Sequence, residues 1–142
     1  MRSKGCQIGL ALLIIILSFE IKVSVLSASG LGLKFEKALG RGAVAEVIKQ
    51  HGGEYIVPFQ ERLWLEEVFQ RMRSVTERTE IEYTLTVLDS QEWNAFSLPG
   101  GYIFVTRGLL RLINGEEAKL AAVLGHEIAH VERKHGVSAV LR

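Results

Sequence analysis

The spacing of apolar positions changes several times along the chain, and each change predicts a different element. Leu65, Val68, Phe69, Met72 and Val75 recur at helical spacing, with Glu66, Glu67, Arg71 and Arg73 between them. This predicts an amphipathic helix from Pro58 to about Arg78, with the proline in the first turn, where a missing N–H costs nothing. From Glu82 to Leu88 the pattern becomes β-branched and aromatic, as in a strand, and Asp89-Ser90 supplies a turn. Tyr102-Ile-Phe-Val105 reads as a second strand, and Gly100-Gly101 before it suits a hairpin-like connection. One of these strands is also a candidate for an exposed edge that pairs with an extended peptide. Thr106 is placed to cap a short helix, Arg107 to Ile113. Asn114, with Glu117 three residues on, predicts the start of a longer helix reaching about His135.

Upstream the pattern is weaker. Gly30, Gly32, Gly40 and Gly42 argue for a flexible start, and Ala43 to Gln50 for one short helix before His51-Gly52-Gly53. His51, beside two glycines, reads as a solvated loop residue. Residues 1–28 have the three-part layout of a secretory signal peptide: Arg2 and Lys4, an apolar run from Ile8 to Phe19, and small residues at Ser27 and Ala28. The rival reading is a membrane anchor, but the run is shorter than the roughly 20 residues that span a bilayer. The expected division is a signal peptide at 1–28, an N-terminal extension at 29–55 and a partial domain at 56–142.

Composition narrows the function classes. A net charge of +1 gives no electrostatic case for nucleic acid as a partner. Cys6 is the one cysteine and precedes the apolar run, so the mature chain is expected to hold neither a disulfide nor a thiolate metal site.

The chemistry lies in the predicted last helix. His126-Glu127-Ile128-Ala129-His130 is an H-E-x-x-H pattern. Four residues of α-helix turn the chain by about 400°, which brings the two imidazoles to one face and lets them close on one metal ion. Glu127, next along the helix, can reach a water at that ion. Around the wheel, Leu120, Leu124, Ile128 and Val131 form an apolar arc, and Ala118, Ala122, Gly125 and Ala129 form a stripe of small residues suited to close approach by another element. The longer pattern H-E-x-x-H-x-x-G-x-x-H fails, because Arg133 and Gly136 stand where it needs glycine and histidine. His135 points away from the pair while the helix continues.

Two linked stretches carry a family resemblance: Asn94-Ala-Phe-Ser-Leu-Pro-Gly-Gly-Tyr-Ile-Phe-Val-Thr-Arg-Gly-Leu-Leu110, and Glu117-Ala-Lys-Leu-Ala-Ala-Val-Leu-Gly-His-Glu-Ile-Ala-His-Val-Glu-Arg-Lys-His135. With residues 56–142 continuous, the chain resembles the HtpX-like and CAAX-prenyl-protease-type zinc metallopeptidases, and its leader makes it similar to their exported, periplasmic branch. The resemblance implies an α+β fold of gluzincin type, with helices around a small sheet and a central H-E-x-x-H helix. It implies one Zn2+ per chain held by His126 and His130, with Glu127 as general base and a third ligand expected beyond residue 142. It also implies a metalloendopeptidase of misfolded or membrane-associated proteins outside the cytoplasm, whose polypeptide substrate is held around Asn94, Ala95, Phe96, Gly100 and Gly101. Peripheral association with a membrane or with outer-membrane assembly machinery belongs to the same expectation. The alternative is an inactive truncated fragment or a chaperone-like peptide-binding module.

Overall fold

The computed structural model describes residues 30–134; the leader, Cys6, His135 and Gly136 lie outside them. The chain divides into two units, Met1–Phe35 and Glu36–Arg142. Of the first, residues 30–35 are described and are helical. The second holds the rest of the described residues. Its elements are α1 (residues 30–50, from its residue 36), α2 (Phe59–Arg73), β1 (Thr84–Leu88), β2 (Ala95–Leu98), β3 (Tyr102–Thr106), α3 (Arg107–Ile113) and α4 (Glu117–Glu132). This is an α+β architecture built on a three-stranded sheet.

The expected flexible start is helix instead. Glycine weakens a helix by only about 1 kcal/mol per residue, and tertiary packing overrides that. At Gly40 the packing needs the glycine: a Cβ there would sit 1.7 Å from the carbonyl oxygen of Pro99. His51 is half-buried and not a solvated loop residue. Its Nδ1 lies 2.8 Å from the Val47 carbonyl oxygen, and its ring tilts over Phe96.

The sheet order is β1-β3-β2. The two predicted strands are neighbours as expected, but they run parallel and are not a hairpin. The hairpin is β2–β3, with Phe96 opposite Phe104 and Leu98 opposite Tyr102. Its turn requires Gly100 and Gly101, which hold φ of 87° and 98°. Ala95–Leu98 is too short, and too mixed in composition, to read as a strand by itself.

Some helix ends differ from the expected ones. Helix α2 keeps Leu65, Val68 and Phe69 buried but stops at Arg73, and Val75 is exposed. Arg78, beyond that end, pairs with Glu36 of α1. Thr106 caps α3 as expected, accepting from the Leu109 N–H at 3.3 Å. Asn114 caps the end of α3 rather than the start of α4: it adopts a left-handed φ of 51°, which asparagine tolerates. Helix α4 starts from Glu116 with no side-chain cap and ends at Glu132.

The apolar arc of α4 is buried as its periodicity predicts, with Leu120 and Leu124 at 0% exposure. It packs with α2, α3 and the sheet. The core continues into Ile103, Phe104 and Val105 of β3, the central strand.

One buried ion pair ties these layers together. Glu36 and Arg78 are joined by two hydrogen bonds, of 2.9 and 2.8 Å. Glu36 also lies 3.4 Å from the Gly100 N–H. Burial pushes the Glu36 carboxyl up, but the hydrogen bonds and charge of Arg78 and the Gly100 N–H outweigh it and hold the group below the ordinary carboxylate range. A depressed folded-state pKa stabilises the protein above the unfolded value, and that contribution is lost as pH falls through the folded value. The urea midpoint is therefore expected to fall as pH drops below about 4.3, the unfolded glutamate value. The Glu36→Met/Arg78→Met double variant is expected to show a shallower fall in the same titration.

Candidate metal and peptide site

The last two turns of α4 bring His126 and His130 together. Their Nε2 atoms lie 3.0 Å apart and the rings meet nearly edge-on, at 76°. Two imidazole nitrogens bound to one tetrahedral zinc at 2.0–2.1 Å would stand about 3.3 Å apart. The pair therefore fits a single metal ion with a shift of a few tenths of an ångström, and His126 is exposed at the surface to receive it. No group of three His, Cys, Asp or Glu side chains that could hold a metal occurs among the described residues. The described residues thus bring together two candidate ligands, where a catalytic zinc ordinarily takes three from protein.

Glu127 is 8% exposed, between the histidine face and the buried arc of Leu124 and Ile128. It shares with His126 a groove of about 420 Å³, lined also by Ala95 of β2, Leu109 of α3, and Ala122 and Val123 of α4. The groove's walls are apolar apart from its two functional residues. Of the small-residue stripe, Ala122 lines this groove, and Gly125 meets α2, where the Met72 Cε would lie 3.0 Å from an added Cβ.

The strand on the other side of this groove is an edge. Among the described residues β2 pairs with β3 on one side only. Its register divides its side chains, because successive residues of a strand face opposite ways. Ala95 lines the groove with α4, whereas Phe96 stacks on Phe104 at 5.2 Å and tilts against His51. Asn94 is exposed at the start of the strand, and its backbone is pinned to Thr106 by hydrogen bonds of 3.0 and 3.1 Å. Gly100 and Gly101 are buried in the turn at the far end, against Lys37 and Glu36 and against Ile81 and Glu82. Of the five residues expected to hold substrate, the structure brings Ala95 to His126 and Glu127, and commits Gly100 and Gly101 to packing.

Sequence reasoning missed the residues that hold the end of α4. The Arg78 guanidinium donates to the Val131 carbonyl at 3.0 Å, and the Tyr83 hydroxyl donates to Glu132. Burial, then the bond to Glu132, pushes the Tyr83 phenol above its ordinary value. No local pattern marks these partners, which come from segments far apart in sequence.

The family model described as "Peptidase family M48" matches residues 60–142, more than half of the chain. The chain is 34% identical over 109 residues to the mitochondrial metalloendopeptidase OMA1 of Schizosaccharomyces pombe, covering 76% of this chain and 32% of that protein. It is 41% identical over 61 residues to the mitochondrial metalloendopeptidase OMA1 of Danio rerio, covering 43% of this chain and 13% of that one. A putative beta-barrel assembly-enhancing protease of Vibrio cholerae is 31% identical over 72 residues, 51% of this chain and 15% of that one. The chain thus spans a third or less of these relatives.

These relatives correct one expectation. The chain was expected to be exported, in the periplasm or associated with a membrane outside the cytoplasm. The matches to mitochondrial metalloendopeptidases overturn that placement. Among the described residues no helix is long and apolar enough to cross a membrane. What stands is the family: with its model matched over more than half of its length, the chain belongs to peptidase family M48, and so to the metallopeptidases.

Proposed function

We propose that this chain carries the helix of a zinc-dependent metalloendopeptidase site of gluzincin type that hydrolyses peptide bonds in polypeptides. The observation that carries the reading is the convergence of the His126 and His130 Nε2 atoms, 3.0 Å apart, beside the Glu127 carboxylate and an open strand edge. His126 and His130 hold the metal. Zinc bound there supplies a Lewis acid that activates water and polarises the scissile carbonyl.

The chain's own residues do the rest. Glu127 takes a proton from the attacking water as its oxygen bonds to the carbonyl carbon, and delivers that proton to the amine as the C–N bond breaks. Its buried position keeps the carboxylate next to the helix face that bears the histidines. Strand β2 receives the substrate backbone along its free edge at Ala95, giving affinity with little side-chain selectivity. Ala95, with no bulk beyond Cβ, leaves the groove beside His126 open.

Replacing His126 with alanine is expected to abolish stoichiometric zinc binding by the purified chain, measured by equilibrium dialysis with metal analysis. The Glu127→Gln variant is expected to keep zinc at the wild-type level. In the longest active form of the protein it should lower cleavage of an unfolded protein substrate by at least about 100-fold, the scale of a lost general base. Full activity in that variant would contradict the role given to Glu127.

A further inference from the structure

We propose that Arg78 is a positioning residue for the metal-binding end of α4, acting through the peptide carbonyl of Val131 and the carboxylate of Glu132. The proposal rests on the reading that His126 and His130 bind zinc.

The last carbonyls of a helix have no partners within it, and they form the negative end of the helix dipole. The Val131 carbonyl belongs to the residue after His130. It accepts from Arg78 Nη1 at 3.0 Å, besides the Lys134 N–H at 3.0 Å. The Arg78 backbone N–H lies 3.4 Å from Glu132 Oε1, and the same carboxylate oxygen accepts the Tyr83 hydroxyl. Residues 131 and 132 are thus held both at the backbone and at a side chain.

Arg78 is itself fixed. Nη1 and Nη2 donate to the two oxygens of Glu36, and Nε donates to Glu80 at 3.1 Å. The Arg78 side chain is 12% exposed and that of Glu36 2%, so the pair is shielded from water. A planar guanidinium held on three nitrogens fixes the direction of its second Nη1–H, the one donated to Val131, as a lysine ammonium cannot. Helix ends otherwise fray. A metal site tolerates errors of only about 0.5 Å or 10–20° in its ligands. His130 shares the last turn of α4 with Val131, so the rotation of that turn sets where its Nε2 points.

A purely structural role would make the same contacts, and the test separates the two. Removing both charges with Glu36→Met/Arg78→Met leaves no stranded buried ion, so this variant is expected to fold, but the Val131 carbonyl loses its side-chain donor and keeps only the Lys134 N–H. Arg78→Lys keeps the charge and loses the fork. Leu88→Ala destabilises the core from β1, away from α4, and serves as the control. For each full chain the zinc Kd is measured by competition with a chromophoric chelator, the Co2+ absorption spectrum is recorded, and the urea midpoint is determined. The double variant and Arg78→Lys are expected to bind zinc roughly 10- to 100-fold more weakly with an altered Co2+ spectrum. Leu88→Ala should keep wild-type affinity despite its lower urea midpoint.

Wild-type affinity and spectrum in Arg78→Lys or in a folded double variant would overturn the proposal, as would an equal loss in Leu88→Ala. Absence of zinc binding by the wild-type chain would instead defeat the metal-site reading on which the proposal rests.

Discussion

The buried pair of Glu36 and Arg78 is the constraint on which the rest of this arrangement depends. It joins the first helix, the turn region after α2, the β2–β3 hairpin at Gly100 and the final turn of α4. Such a pair adds little net stability over apolar residues of the same volume, because both charges must leave water. Breaking it is a different matter. Loss of one partner strands a buried charge and costs about 3–5 kcal/mol. The pair therefore specifies which segments meet more than it strengthens their meeting.

Helix α4 does two jobs on one cylinder. Its arc of Leu120, Leu124, Ile128 and Val131 fixes it in the core, and this leaves its histidine face at the surface. Glu127 falls at the border between them, buried yet lining the same groove as His126. In the sheet, β1 pairs with one side of β3 and β2 with the other, and β2 lies next to α4.

What could be read from the sequence follows from the range of the interactions. The helical spacing of His126 and His130, the apolar arc around them and the Thr106 cap are local properties, and local periodicity shows them. Residues 30–42 failed because glycine propensity is a weak term beside the approach of Pro99 to Gly40. Asn114 failed because the same residue suits either end of a helix, and the left-handed turn with Gly115 decided for the end of α3. β2 failed because four residues carry too little pattern. Arg78 was beyond reach for a different reason: its role comes from Glu36 and Val131, neither of which lies near it in sequence. The placement outside the cytoplasm drew on residues 1–28 and on the family resemblance, and the match to mitochondrial metalloendopeptidases overturned it.

Membership of peptidase family M48 and the helix geometry support one central proposal, that a single metal ion binds between His126 and His130. X-ray absorption at the zinc edge, on the zinc-loaded chain, tests it most directly. Two imidazole nitrogens are expected at about 2.0–2.1 Å, with oxygen completing the shell. A spectrum with no imidazole scattering, or one unchanged when both histidines are replaced by alanine, would contradict it.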